Sequence, residues 1–268
     1  MEALDIRMSI ITVCKNSGQF LDETIRSVLN QDYPNIEYII IDGDSNDNTL
    51  DIIREYSQKI AVCISEVDKG MYDAINKGLK LATGDYILIL NSDDVLADKK
   101  VIKKVVKVIS DKRLDYYYGN MIKRKEGKIK KVKLFSVSYK KLLSSTHGTF
   151  VPHPCFFISS KINLMLEGYN PEYKFASDYD YILRALKNTG SKGLYVNIFT
   201  TVFRIHENSI TASGKINDER KKILEQHGYY LLPRITRLYY YYTLWIYYKI
   251  INLPYSYKDA QVWTIGAI

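Results

Sequence analysis

The sequence predicts an α/β protein with a Rossmann-like, mostly parallel β-sheet flanked by helices, and two observations predict it. Four short runs rich in isoleucine and valine, each bounded by polar or turn residues, are typical of buried strands; they cover residues 8–14, 37–42, 60–66 and 85–91. Between and after these runs, apolar residues recur every three or four positions, which predicts amphipathic helices over residues 20–30, 49–56, 72–82 and 99–109. Strands and helices that alternate in this way form βαβ units, and right-handed crossovers then build a mostly parallel sheet.

The pattern is less regular in the second half of the chain. After an irregular stretch over residues 115–120, we expect an exposed lysine-rich strand or hairpin over residues 123–133, a short helix over residues 139–143 and a strand over residues 155–159. A helix near residues 177–188 and a strand over residues 194–205 follow. The last segment is basic and contains 10 of the chain's 24 tyrosines, which we interpret as a helical tail. The chain therefore divides into residues 1–100, residues 101–215 of the same domain, and the tail over residues 216–268.

Charge is unevenly distributed along the 268 residues. Residues 1–100 carry 10 basic and 18 acidic side chains, whereas residues 101–268 carry 28 basic and 12 acidic ones. The acidic residues of the first part are concentrated in short, loop-like clusters that follow predicted strands. The basic excess of the second part is accompanied by no nucleic-acid recognition module, so we expect no nucleic-acid partner.

Cysteine usage and hydropathy limit where the protein works. The three cysteines lie far apart in apolar stretches and offer neither a disulfide framework nor a CxxC zinc site, which favours a reducing, cytoplasmic setting. The N-terminus lacks a basic region followed by an apolar core, so we expect no signal peptide. No stretch reaches the roughly 18 uncharged apolar residues of a membrane span, because the closest one, over residues 229–251, contains three basic residues.

The first polar cluster, Asp42-Gly43-Asp44-Ser45-Asn46-Asp47-Asn48-Thr49, follows the second predicted strand. Helix capping and a turn account for one or two of its carboxylates. Asp42 is the last residue of the strand, at the sheet edge where α/β proteins bind ligands. A carboxylate there suits the donor groups of a nucleobase or ribose, and a purely structural turn is the alternative.

The second cluster, Asn91-Ser92-Asp93-Asp94, ends the most hydrophobic predicted strand. Adjacent carboxylates repel each other, so a nearby cation commonly neutralises them. Hard oxygen ligands suit Mg²⁺ or Mn²⁺, ions that typically link protein carboxylates to a substrate diphosphate. Two aspartates before a helix are also a common N-cap arrangement, which is the structural alternative.

Several motifs occur together over about the first hundred residues. The chain reads SIITVCKNSGQFLDETIRSVLNQDYPNIEYIIIDGDSNDNT and then DKGMYDAINKGLKLATGDYILILNSDD. This stretch resembles the N-terminal half of inverting family-2 glycosyltransferases of the GT-A fold. The resemblance implies metal-dependent transfer of a hexosyl-type sugar from a nucleotide diphosphate sugar to an acceptor hydroxyl. It also implies that residues 1–100 bind the donor and residues 101–215 face the acceptor.

The resemblance also implies roles for individual residues. Residues that match the family's donor-binding segments are Thr12, Asp42, Asp44, Lys69, Gly70, Asn76 and Asp93. The NSDD sequence matches the family's DxD-type metal motif, with Mn²⁺ or Mg²⁺ as the implied cofactor. We assign the direct metal bond to Asp94 and place Asp93 on the ribose or on a metal-bound water.

The third cluster, Phe175-Ala176-Ser177-Asp178-Tyr179-Asp180-Tyr181, opens a predicted helix. From the residues alone, Ser177 caps the helix and the two aspartates favour its dipole. Inverting transfer, however, needs a general base on the acceptor hydroxyl, and a residue at a helix start can be held rigidly for that role. The family's (E/S)D-x-(D/E) segment aligns with Asp178 as base, and Asp180 is the second choice.

Two histidines and two basic regions complete the candidate set. His206 resembles a histidine that some GT-A enzymes place on the metal or the diphosphate, and His153 either lines the acceptor site or forms a structural turn. The lysine-rich run over residues 123–133 protects a sheet edge or faces an anionic acceptor or membrane. The tyrosine-rich tail lies on a membrane surface, packs on the domain or binds a second subunit.

These features favour a cytoplasmic, metal-dependent inverting glycosyltransferase that uses a UDP-sugar in surface polysaccharide or lipid-linked glycan synthesis, peripheral to the membrane. Two rival functions remain open. A sugar nucleotidyltransferase needs a glycine- and arginine-rich loop after the first strand, and residues 14–18 match it poorly. A non-catalytic nucleotide-sugar-binding protein has no need for both Asp94 and Asp178.

Overall fold

The structure, a computed structural model, describes residues 6–144, 151–189, 193–206, 216–252 and 258–259. Its strands are β1 (Met8–Cys14), β2 (Ile36–Asp42), β3 (Val62–Ser65), β4 (Tyr86–Ile89), β5 (Val95–Leu96), β6 (Tyr116–Lys125), β7 (Lys128–Val132), β8 (Phe156–Ser159), β9 (Gly193–Ile205) and β10 (Lys258–Asp259). Its helices are α1 (Leu21–Leu29), α2 (Thr49–Glu55), α3 (Met71–Leu81), α4 (Val101–Lys112), α5 (Tyr139–Leu143), α6 (Ser160–Leu166), α7 (Ser177–Asn188), α8 (Ile216–Gln226) and α9 (Arg234–Asn252).

The strands form one mixed sheet. Eight of them follow the order β10-β7-β6-β8-β4-β1-β2-β3, while β9 pairs with β6 and β5. The four strands β3, β2, β1 and β4 are all parallel, as the βαβ pattern predicts. The antiparallel β8 lies between β4 and β6, which makes the sheet mixed rather than wholly parallel.

The alternation of apolar residues along the central strands places two cores on opposite faces of the sheet. Ile11 and its neighbours on one face pack against α3 and α7, in a core that α8 and α9 also join. Ile10 and its neighbours on the other face pack against α1 and α4. The strands that these isoleucine-rich runs form are therefore buried on both faces, as in other parallel sheets covered by helices. The predicted fold class, an α/β sheet flanked by helices with a C-terminal helical tail, is confirmed.

The second half of the chain adds a long hairpin and a crossing strand. β6 and β7 pair antiparallel around a turn at Glu126 and Gly127, both of which have positive φ, so the lysine-rich run forms a hairpin. β9 runs parallel to β6, with a register shift between Tyr118 and Met121, and then pairs with β5. The sequence patterns did not predict β5 or α6. The pairing of β5 with β9 is what brings the end of β9 beside the end of β4.

The C-terminal helices contribute apolar side chains to the core of the domain. Ile223 and Leu224 of α8 and Leu244 of α9 are buried in the core below α7. In the described part of the chain, no helix combines the length and the apolar character that crossing a membrane requires. The segment boundaries after residues 100 and 215 stay a prediction.

Candidate active site

A cleft of about 920 Å³ opens at the carboxyl ends of β1 and β4. Its walls come from the end of β1 and the residues up to 20 that follow it, residues 91–93 after β4, the first turns of α3 and α7, and the end of β9. Open α/β sheets bind ligands at this edge, and the size is that of a small-molecule site. The chain therefore places residues from both of its halves around one ligand-sized space.

Asp93 and His206 lie side by side in this cleft. His206 Nε2 is 2.9 Å from Asp93 Oδ2, and the two side chains are 27% and 26% exposed. The Phe20 ring lies 5.2 Å from the imidazole, centroid to centroid. A carboxylate and an imidazole that both reach the same open space can bind a divalent cation.

Asp94 occupies a different environment from its neighbour. Its side chain is fully buried and is not part of the cleft lining. Its Oδ1 accepts a hydrogen bond from the Arg204 backbone N–H at 3.0 Å, and its Oδ2 accepts one from Asn91 Nδ2 at 3.3 Å. Burial, and then the adjacent Asp93 charge, raise the pKa of the Asp94 carboxyl well above its ordinary value. Asp93 rather than Asp94 therefore faces the cleft, which does not fit the direct metal bond that the sequence analysis assigns to Asp94.

Arg204, which the sequence analysis did not single out, links the residues around Asp93 and Asp94 to α1. Its Nε donates to the Asp93 carbonyl oxygen at 3.0 Å, and its guanidinium also pairs with Glu23 on α1. Arg124 donates to the other Glu23 oxygen at 2.9 Å. Burial alone would raise the pKa of Glu23, but these two arginines hold it below its ordinary value. Glu23 is therefore a charged partner that ties α1 to β9 beside Asp93.

Asp178 lines the cleft from the first turn of α7. Its Oδ1 accepts a hydrogen bond from the Tyr179 backbone N–H at 2.8 Å and one from the Tyr72 hydroxyl at 3.3 Å. Burial, and then the Asp178 charge, raise the pKa of Tyr72 well above its ordinary value, so this hydroxyl keeps its proton and donates it. Asp178 has a second oxygen for a ligand in the cleft, which is the arrangement that a general base requires.

Asp180, the second choice for the base, is turned away from the cleft. Its side chain is 7% exposed and accepts hydrogen bonds from Arg184 Nε at 2.8 Å and His227 Nε2 at 2.9 Å. Burial opposes ionisation, but His227 and Arg184 hold the pKa of Asp180 below its ordinary value. The two aspartates of the third cluster therefore differ: one faces the cleft and the other links α7 to the end of α8.

Glu219 on α8 organises the segment that precedes α7. Its carboxylate accepts hydrogen bonds from three successive backbone N–H groups, those of Lys174, Phe175 and Ala176, at 2.8, 2.7 and 2.9 Å. Asp178 follows two residues later. The position of the candidate base is thus fixed from outside its own helix, by a carboxylate 41 positions further along the chain.

His153 reaches the cleft from the buried turn before β8. Its side chain is almost fully buried, and Nε2 hydrogen-bonds the Tyr169 hydroxyl at 2.5 Å. Burial lowers the pKa of His153, and the Asp178 charge opposes this only in part. His153 is therefore a neutral group in the wall near Asp178, and its predicted contact with an acceptor stays a prediction.

Among the residues expected to bind the donor, Gly70 lines the cleft, with φ of 129° in a conformation that favours glycine. Thr12 is fully buried and accepts a hydrogen bond from the Tyr38 hydroxyl at 3.1 Å. Asp42 is also fully buried and accepts bonds from the Ser45 backbone N–H and the Ser65 hydroxyl.

Burial alone would raise the pKa of Asp42, but hydrogen bonds from Ser45 and Ser65 hold it below its ordinary value. Asp44 and Lys69 are exposed outside the cleft lining. The Asn76 side chain donates to the Tyr169 carbonyl oxygen and accepts from the Tyr169 N–H, both at 2.8 Å, so its amide group already has partners within the protein. The donor contacts of these residues stay a prediction.

The comparisons with known proteins identify the family. The sequence model of glycosyl transferase family 2 matches residues 9–165, which is more than half of the chain. This chain belongs to glycosyltransferase family 2. The expectation of a family-2 glycosyltransferase is confirmed, and the rival interpretations as a nucleotidyltransferase or a binding protein without activity find no support.

Three relatives of this glycosyltransferase are themselves named as glycosyltransferases. A UDP-Glc:alpha-D-GlcNAc-diphosphoundecaprenol beta-1,3-glucosyltransferase of Escherichia coli, WfaP, is 28% identical over 95% of this chain and 98% of its own length. An uncharacterized glycosyltransferase of Mycobacterium tuberculosis is 32% identical over 66% of this chain and 68% of that protein. A PGL/p-HBAD biosynthesis glycosyltransferase of the same species is 27% identical over 71% and 73%.

Solved structures share the fold of this glycosyltransferase. S. aureus TarS in complex with UDP-GlcNAc has a TM-score of 0.70 and 18% identity, over 89% of this chain and 71% of that one. A mannosyltransferase from Pyrobaculum calidifontis in complex with GDP-Man and Mn²⁺ has a TM-score of 0.63 and 15% identity, over 92% and 71%. These likenesses support the GT-A fold.

The family match covers only part of the cleft of this glycosyltransferase. Asp93 lies within residues 9–165, whereas Asp178, Arg204, His206 and Glu219 lie beyond them. The only local signal for Arg204 is its position near the end of a predicted strand, two residues before the candidate His206. Glu219 lies in an ordinary charged helix, and no sequence pattern distinguishes it from its neighbours.

Proposed function

We propose that this glycosyltransferase moves a sugar from a UDP-sugar to a hydroxyl of a lipid-linked glycan, with inversion at the anomeric carbon and with a divalent metal. The observation that carries the proposal is the arrangement of one cleft, where Asp93 and His206 line one wall and Asp178 reaches the same space from α7. Inverting transfer needs charge neutralisation on the leaving diphosphate and a base on the acceptor, and the two walls supply groups for each.

The chemistry of the donor set fits a divalent metal. Asp93 and His206 offer a carboxylate and an imidazole, and the neighbouring Asn91 Oδ1 is buried without a hydrogen-bond partner in the described part of the chain. Among the described residues, no group of three or more histidine, cysteine or acidic side chains forms a closed metal site. A cation that also binds substrate phosphate needs only one or two protein carboxylates, so this open set suits Mg²⁺ or Mn²⁺. When bound, the ion would neutralise charge that develops on the leaving nucleoside diphosphate.

Asp178 is the residue we assign as general base. It takes the proton of the acceptor hydroxyl while the hydroxyl oxygen attacks the anomeric carbon, and the bond to the diphosphate breaks on the opposite side. The Tyr72 hydroxyl and the Tyr179 N–H fix Oδ1, so that Oδ2 is the oxygen we orient toward the acceptor. No covalent sugar intermediate is required.

Relatives support the choice of donor and acceptor. WfaP carries UDP-Glc and a diphosphoundecaprenol-linked sugar in its name, and TarS binds UDP-GlcNAc. Lys123 also lines the cleft, paired with Phe203 of β9, and its positive charge suits a ligand that carries a diphosphate. We place the enzyme in the cytoplasm, since its three cysteines are all unpaired. Its acceptor would then be presented at a membrane surface.

A donor panel tests the proposal. Purified protein is incubated with UDP-, GDP- and dTDP-linked sugars, each with Mn²⁺, Mg²⁺ or EDTA, and release of the nucleoside diphosphate is measured with and without a lipid-diphosphate-linked monosaccharide acceptor. We expect turnover with a UDP-sugar, with metal and with the acceptor. Turnover with only a GDP- or dTDP-sugar refutes the donor assignment, and full activity in EDTA refutes the metal.

Four variants test the residue assignments. Asp178→Asn should lower kcat by about 10²–10⁴-fold, the usual contribution of a general base. Asp93→Asn should also lose turnover and weaken Mn²⁺ binding measured directly by electron paramagnetic resonance. Asp94→Asn keeps the acceptor oxygen for the Arg204 N–H and should retain Mn²⁺ binding. Asp51→Asn, on the exposed face of α2, is the matched control and should behave as the wild type.

A further inference from the structure

One face of α9 exposes an unusual row of large apolar side chains. The row follows helical spacing of three and four residues and consists of Ile235, Leu238, Tyr239, Tyr242, Trp245, Ile246 and Ile250, which are between 45% and 82% exposed. We call these seven residues the outer face of α9. Residues three and four apart lie on the same side of a helix, so they form one stripe about 22 Å long.

The opposite side of α9 already holds the helix on the domain. Leu244 is buried in the core, and the Phe135 ring packs edge-on against Tyr247 at 4.7 Å between centroids. At the C-terminal end, the Asn252 side chain donates to the Lys133 carbonyl oxygen and accepts from its N–H. The outer face is thus not needed to attach the helix. Folded proteins rarely leave so large an apolar surface in water unless something binds it.

The charge of α9 indicates which class of partner suits the outer face. Its 19 residues include Arg234, Arg237 and Lys249 and no acidic residue. Lys249 lies in line with the outer face, its Nζ 5.5 Å from the centre of the Trp245 ring, and Arg237 stacks over the Tyr229 ring at 4.8 Å. An apolar stripe rich in tyrosine and tryptophan and edged by cations fits the interface of an anionic bilayer, where aromatic rings lie at the headgroups and cations meet lipid phosphates.

A second copy of the chain fits the same face less well. An antiparallel pair of α9 helices centred on Tyr242 would bring Lys249 of one copy toward Arg234 and Ile235 of the other. No acidic side chain in α9 could offset that repulsion. We therefore propose that the outer face of α9 docks on the surface of an anionic lipid bilayer, with the helix lying in the plane of the interface.

Vesicle binding tests this docking without any donor or acceptor, so its failure and that of the proposed function are distinguishable. The full chain is mixed with vesicles of equal parts phosphatidylcholine and phosphatidylglycerol, or of phosphatidylcholine alone, and bound protein is separated by flotation. The second tryptophan, Trp263, is replaced by phenylalanine so that Trp245 alone reports by fluorescence. We expect binding to the anionic vesicles, a blue shift of Trp245 emission, and weaker binding at high salt.

Two leucine variants locate the contact. Leu238→Glu places a charge on the outer face and should weaken vesicle binding by at least about tenfold. Leu164→Glu makes the same change at a side chain on α6 that is 76% exposed, and it should bind like the wild type. Circular dichroism and thermal unfolding check that both variants are folded.

Three outcomes would overturn the proposal. The first is no binding to anionic vesicles by the folded wild-type chain. The second is binding that Leu238→Glu leaves unchanged. The third is a dimer in sedimentation experiments without lipid that Leu238→Glu converts to a monomer, because the outer face would then belong to a second copy.

Discussion

Removal of the Glu219 carboxylate should lower both the stability of the fold and the turnover of the enzyme, and the two effects can be measured separately. Glu219 accepts three backbone N–H groups directly before α7, and a hydrogen bond to a charged acceptor contributes about 1.5–3 kcal/mol. The Lys174 N–H is exposed and can bond water instead, so only the Phe175 and Ala176 bonds count. Because Glu219 is itself half-buried, we take the lower limit of this range for each of the two bonds. Glu219→Ala should therefore lower the free energy of unfolding by about 3 kcal/mol.

The same variant should change turnover more than donor binding. Asp178 lies two residues after Ala176, so loosening this segment displaces the base; a misplacement of about 1 Å costs up to 10²-fold in rate. We expect kcat to fall about 10–100-fold while the donor KM stays near that of the wild type, because the donor wall comes from other elements. Steady-state kinetics with saturating acceptor, together with urea unfolding, measure both effects.

Two variants on α8 control this experiment. Glu219→Gln keeps one carbonyl acceptor and should recover part of the stability and of kcat. Glu225→Ala changes an exposed glutamate on the same helix and should leave both quantities unchanged. A Glu219→Ala protein that loses about 3 kcal/mol but keeps the wild-type kcat would refute the link between Glu219 and the base.

Three further predictions concern stability. Asp180→Ala removes the buried partner of His227 and should cost about 3 kcal/mol in urea unfolding. Burial lowers the pKa of His153 in the folded state, so its contribution to stability is present above the unfolded pKa of about 6.5 and is lost as pH falls below it; His153→Gln should flatten the loss of unfolding free energy between about pH 6.5 and 5. Gly78→Ala places a Cβ 2.5 Å from Ile11 Cγ2, and this overpacking should outweigh the gain in helix propensity by about 1 kcal/mol.

A single result would contradict each of these three predictions. Unchanged stability of Asp180→Ala would mean that water replaces the contacts of Asp180 with His227 and Arg184 without cost. A His153→Gln protein with the acid sensitivity of the wild type would place that sensitivity in another group. A stabilised Gly78→Ala protein would show that α3 moves away from the sheet readily.

The first half of the fold is predictable because its signals are local. Each of β1, β2 and β4 is a short run rich in isoleucine, and each intervening helix has its own amphipathic period. The antiparallel position of β8 and the pairing of β5 with β9 depend instead on contacts between distant residues. Val95 pairs with Val202, for example, and no local pattern around either residue specifies the other.

The candidate site is predictable in its residue types and less so in its orientations. Asp93 and Asp94 are adjacent at one strand end, and only the turn after β4 determines that the first faces the cleft while the second lies under Arg204. Asp178 and Asp180 are two positions apart on a helix, about 200° around its axis, so they had to face different ways. Which of them reaches the ligand depends on how α7 packs, which involves His227 on another element.

The late position of β9 in the chain has a consequence during synthesis on the ribosome. The Asp94 carboxyl is capped by a backbone N–H that lies 110 residues further on, and the Glu23 carboxylate pairs with the same arginine after 181 residues. Until Arg204 and β9 have been synthesised, Asp94 lacks both its backbone donor and the neighbouring β5–β9 pairing, and the cleft lacks His206. The wall of the cleft that Asp93 and His206 line therefore cannot form before β9 has been synthesised.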